Sequence, residues 1–454
     1  MARRSFDRRT FVALLLAGCA DPTPNLVPQV TPLPQTPTPQ QPQPVAPPTE
    51  SGSMSFDAWS RQFYERAVRA GLPADLLTRE MAGLVPDPRV ITLDSRQPEF
   101  AKPFGDYIKG VISDDRIAIG QRKRVELAPI TADIEAKYGV PGDVVLGIWA
   151  VETAFGGTMG SFDVIRSMAT LAADGRRRQW AEDQLMAALR IIGQGEFPRS
   201  QLYGSWAGAM GQTQFIPTTF LSTAVDEDGD GKRDIRGSRE DALASAANLL
   251  SKGGWVRGQG WAREVTVPDG FDYALTEGPR ETPDWWARLG VVRADGLPWT
   301  TADQTAKCML IAPTGAQGPK FLLLPNHFVI RKYNNATTYA LGVGLLADRF
   351  GGMGPLVQAW PYETALSTAD RIASQKALAA LGFDPGQPDG VIGVNTRAAL
   401  RAWQKSRGLI ADGYLSMQMV GLLKAEVPWV SPTPPPADPV PQAPTPGPAP
   451  QARR

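Results

Sequence analysis

Glu152 is the only charged residue between Asp143 and Asp163, within the string Ile148-Trp149-Ala150-Val151-Glu152-Thr153-Ala154-Phe155-Gly156. A carboxyl group with little water around it resists ionisation, so its pKa rises. An acid still protonated near neutral pH can donate its proton to a glycosidic oxygen. Gly156-Gly157 ends the apolar run, which sets Glu152 at an element's end and beside a cleft. The same glutamate also fits a solvated or salt-bridged position at a helix edge. A second string, Tyr203-Gly204-Ser205-Trp206-Ala207-Gly208-Ala209-Met210-Gly211-Gln212-Thr213-Gln214-Phe215-Ile216-Pro217, combines small residues, amides and aromatics. Its glycines allow close backbone approach. Its Ser and Gln side chains can bond sugar hydroxyls and N-acetyl groups, and its rings can stack on sugar faces. A tight turn between packed helices would use the same composition.

A third string, Asp226 to Asp234, carries Asp226, Asp228, Asp230 and Asp234 at loop positions 1, 3, 5 and 9, with Gly231 at position 6. That spacing suits a hard cation bound by oxygen, with Lys232 lending its carbonyl. Position 12 is Gly237 rather than Glu, so Asp241 or Glu240 would have to close a longer loop. A solvated acidic turn is the plain alternative.

These residues need a frame. Phe56, Trp59, Phe63 and Ala67 recur at helical spacing, and Ile117 to Lys137 continues the period until Tyr138-Gly139-Val140-Pro141 stops it. Val144 to Thr153 is apolar on most faces and predicts a buried helix. Gln179 to Ile192 and Ala242 to Leu250 predict amphipathic helices, whereas Glu264 to Val267, Lys307 to Ile311 and Phe321 to Ile330 read as strands. The expected class is mainly α (α+β): a helical body with a small sheet insertion, followed by a small three-helix unit after a break near Trp360-Pro361.

The 454 residues carry 47 basic and 46 acidic side chains, which gives no reason to expect a nucleic-acid partner. His327 is the only histidine. A histidine-rich metal site is thereby excluded, and His327, in an apolar stretch, reads as a core residue. Of the two cysteines, Cys19 lies in a targeting segment, so no internal disulfide is expected, and Cys308 reads as a small buried residue.

The strings 151–153 and 204–217 resemble, in order and spacing, those of the membrane-bound type B lytic murein transglycosylases, over roughly residues 55 to 360. The resemblance implies a lysozyme-like helical fold with Glu152 as the sole catalytic acid and base. It implies that Ser205 and Gln214 line the sugar site and that Tyr333-Asn334, with Tyr339, forms a further motif at the cleft. Arg176 and Arg177 match a basic pair near the substrate's peptide or carboxylate groups. It also implies an enlarged EF-hand-like loop, in which Asp226, Asp228, Asp230, Lys232, Asp234 and Asp241 would hold a structural calcium ion; catalysis would need no cofactor. The implied reaction cleaves the β-1,4 bond between N-acetylmuramic acid and N-acetylglucosamine and leaves 1,6-anhydromuramic acid ends. A muramidase using water and a non-catalytic wall-binding scaffold are the competing readings.

Ser374 to Gly382, Asp389 to Leu400, Trp403-Gln404 and Asp412-Gly413 resemble a three-helix peptidoglycan-binding module with two Asp-Gly turns. By that resemblance it tethers the chain to the wall and raises local substrate concentration. Its Asp-Gly turns and Asn395-Thr396 are expected to hold loop geometry. Arg3, Arg4, Arg8 and Arg9 precede a short apolar run, Phe11 to Ala17, too short to span a bilayer. The following Leu16-Ala17-Gly18-Cys19 resembles a lipobox, with Cys19 as the lipidated residue; an ordinary secretory signal cleaved nearby is the alternative. By resemblance to enterobacterial lipoproteins, Ala20 after the cysteine implies the outer membrane, so the expected setting is a lipid-anchored monomer in the periplasm, with peptidoglycan strands and the membrane as partners. Residues 21–50 and 428–450 each hold eleven prolines. Such segments stay extended, so the first is a spacer and the second a tail. The expected organisation is signal peptide 1–19, linker 20–54, catalytic domain 55–361, binding domain 362–427 and tail 428–454.

Overall fold

The computed structural model describes residues 54–96 and 102–427. The signal peptide, Cys19, the proline-rich linker up to residue 53 and the tail therefore lie outside the described residues. The chain first forms α1 (Phe56–Arg69), α2 (Ala74–Met81), α3 (Pro88–Arg96), α4 (Phe104–Val111), α5 (Asp114–Glu126), α6 (Ala128–Tyr138) and α7 (Gly142–Thr153). A two-stranded pair, β1 (Phe162–Asp163) and β2 (Tyr203–Gly204), brackets α8 (Val164–Asp174) and α9 (Arg178–Gly193). Next come α10 (Pro217–Thr223) and α11 (Arg239–Lys252). The insertion then supplies β3 (Ala262–Thr266), β4 (Arg280–Glu281), α12 (Pro283–Arg288), β5 (Val292–Arg293), α13 (Thr301–Gln304), β6 (Cys308–Ile311) and β7 (Lys320–Leu323). The first body closes with α14 (Pro325–Tyr333) and α15 (Thr337–Phe350). The C-terminal body is α16 (Thr368–Ala380), α17 (Val394–Ser406) and α18 (Met417–Glu426).

Local chemistry explains the boundaries. Ser55 caps α1 by accepting the Ala58 N–H, with Asp57 in the first turn, and Trp59, Phe63 and Ala67 form its buried stripe. The period read across Ile117 to Lys137 is two helices rather than one. Pro129 has no N–H to continue the ladder, so the chain breaks at Leu127 and restarts with the proline in the first turn of α6. Gly139, at φ 75°, then ends α6. The strand expected over Phe321 to Ile330 stops at Leu323; Pro325 opens α14, and His327 is a helical residue. An apolar run cannot by itself distinguish a buried strand from a buried helix.

The sheet runs β4-β6-β7-β3-β5 and is antiparallel throughout, with Leu310 opposite Leu322 and Glu264 opposite Phe321. The core that matters most for Glu152 is built by α7 and α15. Val145, Leu146, Ile148 and Trp149 of α7 meet Leu341, Val343 and Leu346 of α15 in one buried cluster. Each such side chain contributes roughly 1.5–3 kcal/mol by leaving water. Gly147 lets the two helices approach: a Cβ there would lie 2.8 Å from the Val343 carbonyl oxygen. His327 is fully buried, stacked 6.2 Å from Trp261, and neither ring nitrogen finds a partner among the described residues. Burial pushes its pKa down to about 3, as suits a neutral core residue. Burial likewise pushes the Cys308 thiol up to about 12.

The C-terminal body has its own core around Leu378, Leu400, Trp403 and Leu423. Two buried glutamines clasp its Asp-Gly turns. Gln375 accepts the Gly390 N–H at 2.8 Å and donates to Thr396 Oγ1 at 3.1 Å. Gln404 accepts the Gly413 N–H at 2.8 Å and donates to Asp412 Oδ1 at 2.9 Å. Thr396 is thus bound into the turn geometry.

Candidate active site

The carboxylate sits where α7 ends abruptly. Ala154, Phe155 and Gly156 follow one another at φ 50°, 61° and 82°. The left-handed region costs a residue with a Cβ roughly 1–2 kcal/mol, so neighbours must hold it. Phe155 packs edge-on against Trp149 at 5.5 Å. Buried Thr153 accepts the Gly156 N–H at 3.0 Å and donates to the Gln212 carbonyl at 2.6 Å. Gln212 Oε1 accepts from Trp149 Nε1 at 3.1 Å and fills the space where a Gly156 Cβ would lie, 2.9 Å away. The segment after α9 is thereby pinned to the end of α7, and Glu152 occupies the last helical turn.

Tyr339, in the first turn of α15, donates its hydroxyl to Glu152 Oε1 at 2.6 Å. Tyr333, the last residue of α14, stacks on Tyr339 with centroids 6.3 Å apart and planes 14° from parallel. Its hydroxyl donates to the Thr213 carbonyl. Phe215 lies 5.8 Å from the Tyr333 ring. Burial pushes the Glu152 carboxyl up to about 7, and the Tyr339 hydrogen bond pulls the other way. The carbonyl end of α7 also disfavours an anion there. Both phenols are raised well above their usual range by burial, with the Glu152 charge adding to it, so they remain donors. No second carboxylate acts on Glu152 among the described residues.

The remaining residues singled out by sequence fall into three groups. Tyr333 and Tyr339 join Glu152 directly, and exposed Asn334 ends α14 beside them. Ser205 and Gln214 belong to the pinned segment and shape it from within. Ser205 Oγ accepts the Ala209 N–H at 3.0 Å, and Gln214, at φ 51°, donates to the carbonyls of Gly211 (2.9 Å) and Met159 (3.3 Å). Arg176 and Arg177 are engaged elsewhere: Arg176 pairs with Asp94 at 2.6 Å, Arg177 lies 3.6 Å from the same carboxylate, and Arg177 stacks on Trp180. Thr153 and Gln212, which pin the end of α7, are site residues the sequence reading missed. Gln212 and Thr153 stood inside the two quoted strings, but nothing local distinguishes a bracing side chain from its neighbours.

In the acidic loop, ligand oxygens of Asp226, Asp228 and Asp230 lie within 4.8 Å of one another. Asp241 does not join them. It is fully buried and accepts the N–H groups of Glu227 (2.7 Å), Asp228 (3.3 Å) and Asp234 (2.7 Å). Asp234 is likewise taken by the amides of Arg236 (2.9 Å) and Gly237 (2.7 Å). Three exposed, converging carboxylates fit a hard cation; Asp241 braces the loop that presents them. Lys232 contributes its N–H to Asp230 Oδ1 at 2.9 Å.

Known proteins are similar to this chain in sequence and fold. Residues 55–348 match the transglycosylase SLT domain family and residues 367–423 a peptidoglycan-binding domain family. The chain is 32 % identical over 219 residues to membrane-bound lytic murein transglycosylase B of Escherichia coli (strain K12), covering 46 % of this chain and 57 % of that protein, little more than half its length. SltB3 from Pseudomonas aeruginosa, solved in complex with NAG-anhNAM-pentapeptide, superposes with a TM-score of 0.78 at 47 % identity, covering 82 % of this chain and 100 % of that one. Escherichia coli Slt35, solved in complex with calcium, superposes with a TM-score of 0.56 at 26 % identity over 64 % of this chain and 92 % of that one. With the SLT domain match spanning more than half of the chain, the protein belongs to the transglycosylase SLT domain family.

Proposed function

We propose that the chain is a lytic transglycosylase that cuts peptidoglycan between N-acetylmuramic acid and N-acetylglucosamine and leaves 1,6-anhydromuramic acid ends. The observation that carries this reading is Glu152: one carboxyl, raised to about 7, held by Tyr339 and lacking a carboxylate partner among the described residues. Two-carboxylate glycosidases need a second acid to activate water or attack the sugar. Here the second nucleophile belongs to the substrate. Protonated Glu152 gives its proton to the oxygen leaving C1 of the muramic acid, and the 2-acetamido group stabilises the cationic centre. Glu152, now a base, takes the proton of the muramoyl 6-hydroxyl as that oxygen bonds to C1. Tyr339 suits the ionised stage, since its hydroxyl bonds the carboxylate. The apolar Trp149–Phe155 surroundings favour the internal hydroxyl over water.

Ser205, Gln214, Tyr333 and Asn334 are assigned to the sugar site, whereas Arg176 and Arg177 are paired with Asp94. The catalytic domain is taken as 55–361 and the wall-binding domain as 362–427, preceded by a lipid anchor on Cys19 that holds the enzyme in the cell envelope. Asp226, Asp228 and Asp230 would hold a calcium ion, whose role is to stiffen the loop joining α10 to α11; it supplies no group to the sugar chemistry. Mass spectrometry of digested sacculi tests the reading: anhydro-ended fragments are expected, abolished by Glu152→Gln. Fragments with only reducing ends would instead identify a muramidase.

A further inference from the structure

The Gln212 amide that meets Trp149 on one side meets the exit of the acidic loop on the other. Its Nε2 donates to the carbonyls of Arg236 at 3.1 Å and Ser238 at 3.4 Å, while Oε1 accepts from Trp149. The residue is only 6 % exposed, so it offers nothing to a sugar in the cleft. Its orientation is forced. An indole N–H can only donate and a carbonyl can only accept, so a flipped amide would set donor against donor and acceptor against acceptor. The main chain repeats the link. The Gln212 N–H donates to the Ile235 carbonyl at 2.9 Å, and the Gln212 carbonyl accepts from Thr153. Gly211, at φ 73°, admits this approach: a Cβ there would lie 2.8 Å from the Ile235 carbonyl oxygen.

Residues 235–238 are where the acidic loop closes. Ser238 Oγ caps α11 by accepting the Asp241 N–H at 3.2 Å, and the Ser238 N–H donates to the Asp234 carbonyl at 3.0 Å. Buried Asp241 then gathers the amides of Glu227, Asp228 and Asp234. An unbroken run of hydrogen bonds therefore leads from Asp241 through Ser238 to the Gln212 amide, and on to Trp149, Thr153 and the turn after Glu152. That turn needs support from outside. Ala154 and Phe155 hold left-handed dihedrals, which a residue with a Cβ leaves when nothing holds it there. Thr153 ties the turn down by accepting the Gly156 N–H and donating to Gln212. Without the Gln212 contacts, relaxation of these dihedrals would shift the last turn of α7 and bring water to the carboxyl.

We propose that Gln212 is a positioning residue for Glu152, and that through it the loop closed on Asp241 holds the carboxyl in its buried place. The inference rests on the reading of Glu152 as the acid. The test uses the full chain on purified glycan strands, with rates normalised to the folded fraction seen by near-UV circular dichroism. Gln212→Met keeps the length of the side chain and removes both ends of the amide. It is expected to lower kcat about 30-fold, of the order that a misplacement approaching ~1 Å costs, with KM within about twofold. The alkaline limb of its kcat/KM profile should move to lower pH, because water reaches the carboxyl. Tyr333 and Tyr339, the ionisable neighbours of Glu152, stay protonated across this range. Thr153→Val cuts the second bond between the two segments and should give the same pattern; it carries the test alone should Gln212→Met not fold. Asp241→Asn loosens the loop and should lower kcat about fivefold, yet add nothing to Gln212→Met: the double variant stays ~30-fold below wild type, whereas independent effects would multiply to ~150-fold. A limb that stays in place or rises, a loss that lies in KM, or losses that multiply in the double variant would overturn the proposal. If the wild-type chain released only reducing ends, the transglycosylase reading would fall, and the limb and the double variant would still decide whether Gln212 positions the acid.

Discussion

Replacing Glu152 by glutamine should stabilise the protein at alkaline pH while removing its activity. The carboxyl is raised from an ordinary 4.5 to about 7, chiefly by burial. A raised acid binds its proton more tightly folded than unfolded. The folded state is therefore penalised as pH rises through the window from 4.5 to 7, and the penalty is complete above it. At about 1.4 kcal/mol per pKa unit it reaches about 3 kcal/mol at pH 8 and nearly vanishes at pH 4. Glutamine keeps an oxygen for the Tyr339 hydroxyl and carries no charge, so the variant escapes the penalty. Urea unfolding of wild type and Glu152→Gln at pH 4 and pH 8 measures the difference directly. The expected result is equal stability at pH 4 and a gain of about 3 kcal/mol for the variant at pH 8. Release of anhydro-ended fragments should fall at least ~10³-fold at every pH, since no second carboxyl acts on that position among the described residues. A variant no more stable than wild type at pH 8, or equally stabilised at both pH values, would show that Glu152 is not a desolvated acid, and the mechanism would lose its foundation.

Tyr339→Phe removes the hydrogen bond that favours the ionised form, so the alkaline limb of the kcat/KM profile should move to higher pH, by about one unit, while kcat falls roughly 10-fold or more; an unmoved limb would refute that role. Gly147→Ala drives a methyl against the Val343 carbonyl oxygen, and strain of this kind costs about 1–3 kcal/mol. It should lower the melting temperature and reduce kcat, because α7 and α15 carry the two ends of the Glu152–Tyr339 bond. Calcium should raise the melting temperature of the wild-type chain, by an amount corresponding to about 2.7 kcal/mol at 100 times Kd. Asp228→Asn should lose most of that response, and so should addition of a chelator; a calcium response of undiminished size in the variant would remove Asp228 from the ligand set.

Much of the protein was legible in the one-dimensional string because its signals are local. The apolar run around Glu152 predicted both a buried helix and a raised pKa, since the helix that buries the neighbours also removes water from the carboxyl. Gly139 acts on the residues next to it and was legible as a helix stop, whereas Pro325 lay inside an expected strand and opens a helix instead. The family strings gave the acid its expected role and brought Tyr333 and Tyr339 forward as companions. Four features escaped the sequence reading. Pro129 divides the region from Ile117 to Lys137 even though its apolar period runs on, because a missing N–H leaves no trace in hydrophobic spacing. Asp241 had the spacing of a cation ligand, yet it is fully buried under the loop and leaves Asp226, Asp228 and Asp230 to converge; where a carboxylate ends up depends on where the backbone turns. Arg176 and Arg177 read as substrate-facing and are held by Asp94, some eighty residues earlier in the chain. The docking of Asp412 onto the Ala316 turn, whose N–H it accepts at 2.9 Å, was invisible for the same reason: partners nearly a hundred residues apart meet only after two cores have formed. Glu152's identity as an acid was a property of its sequence neighbours, but its alignment by Tyr339, Thr153 and Gln212 was decided by how α7, α15 and the pinned segment pack.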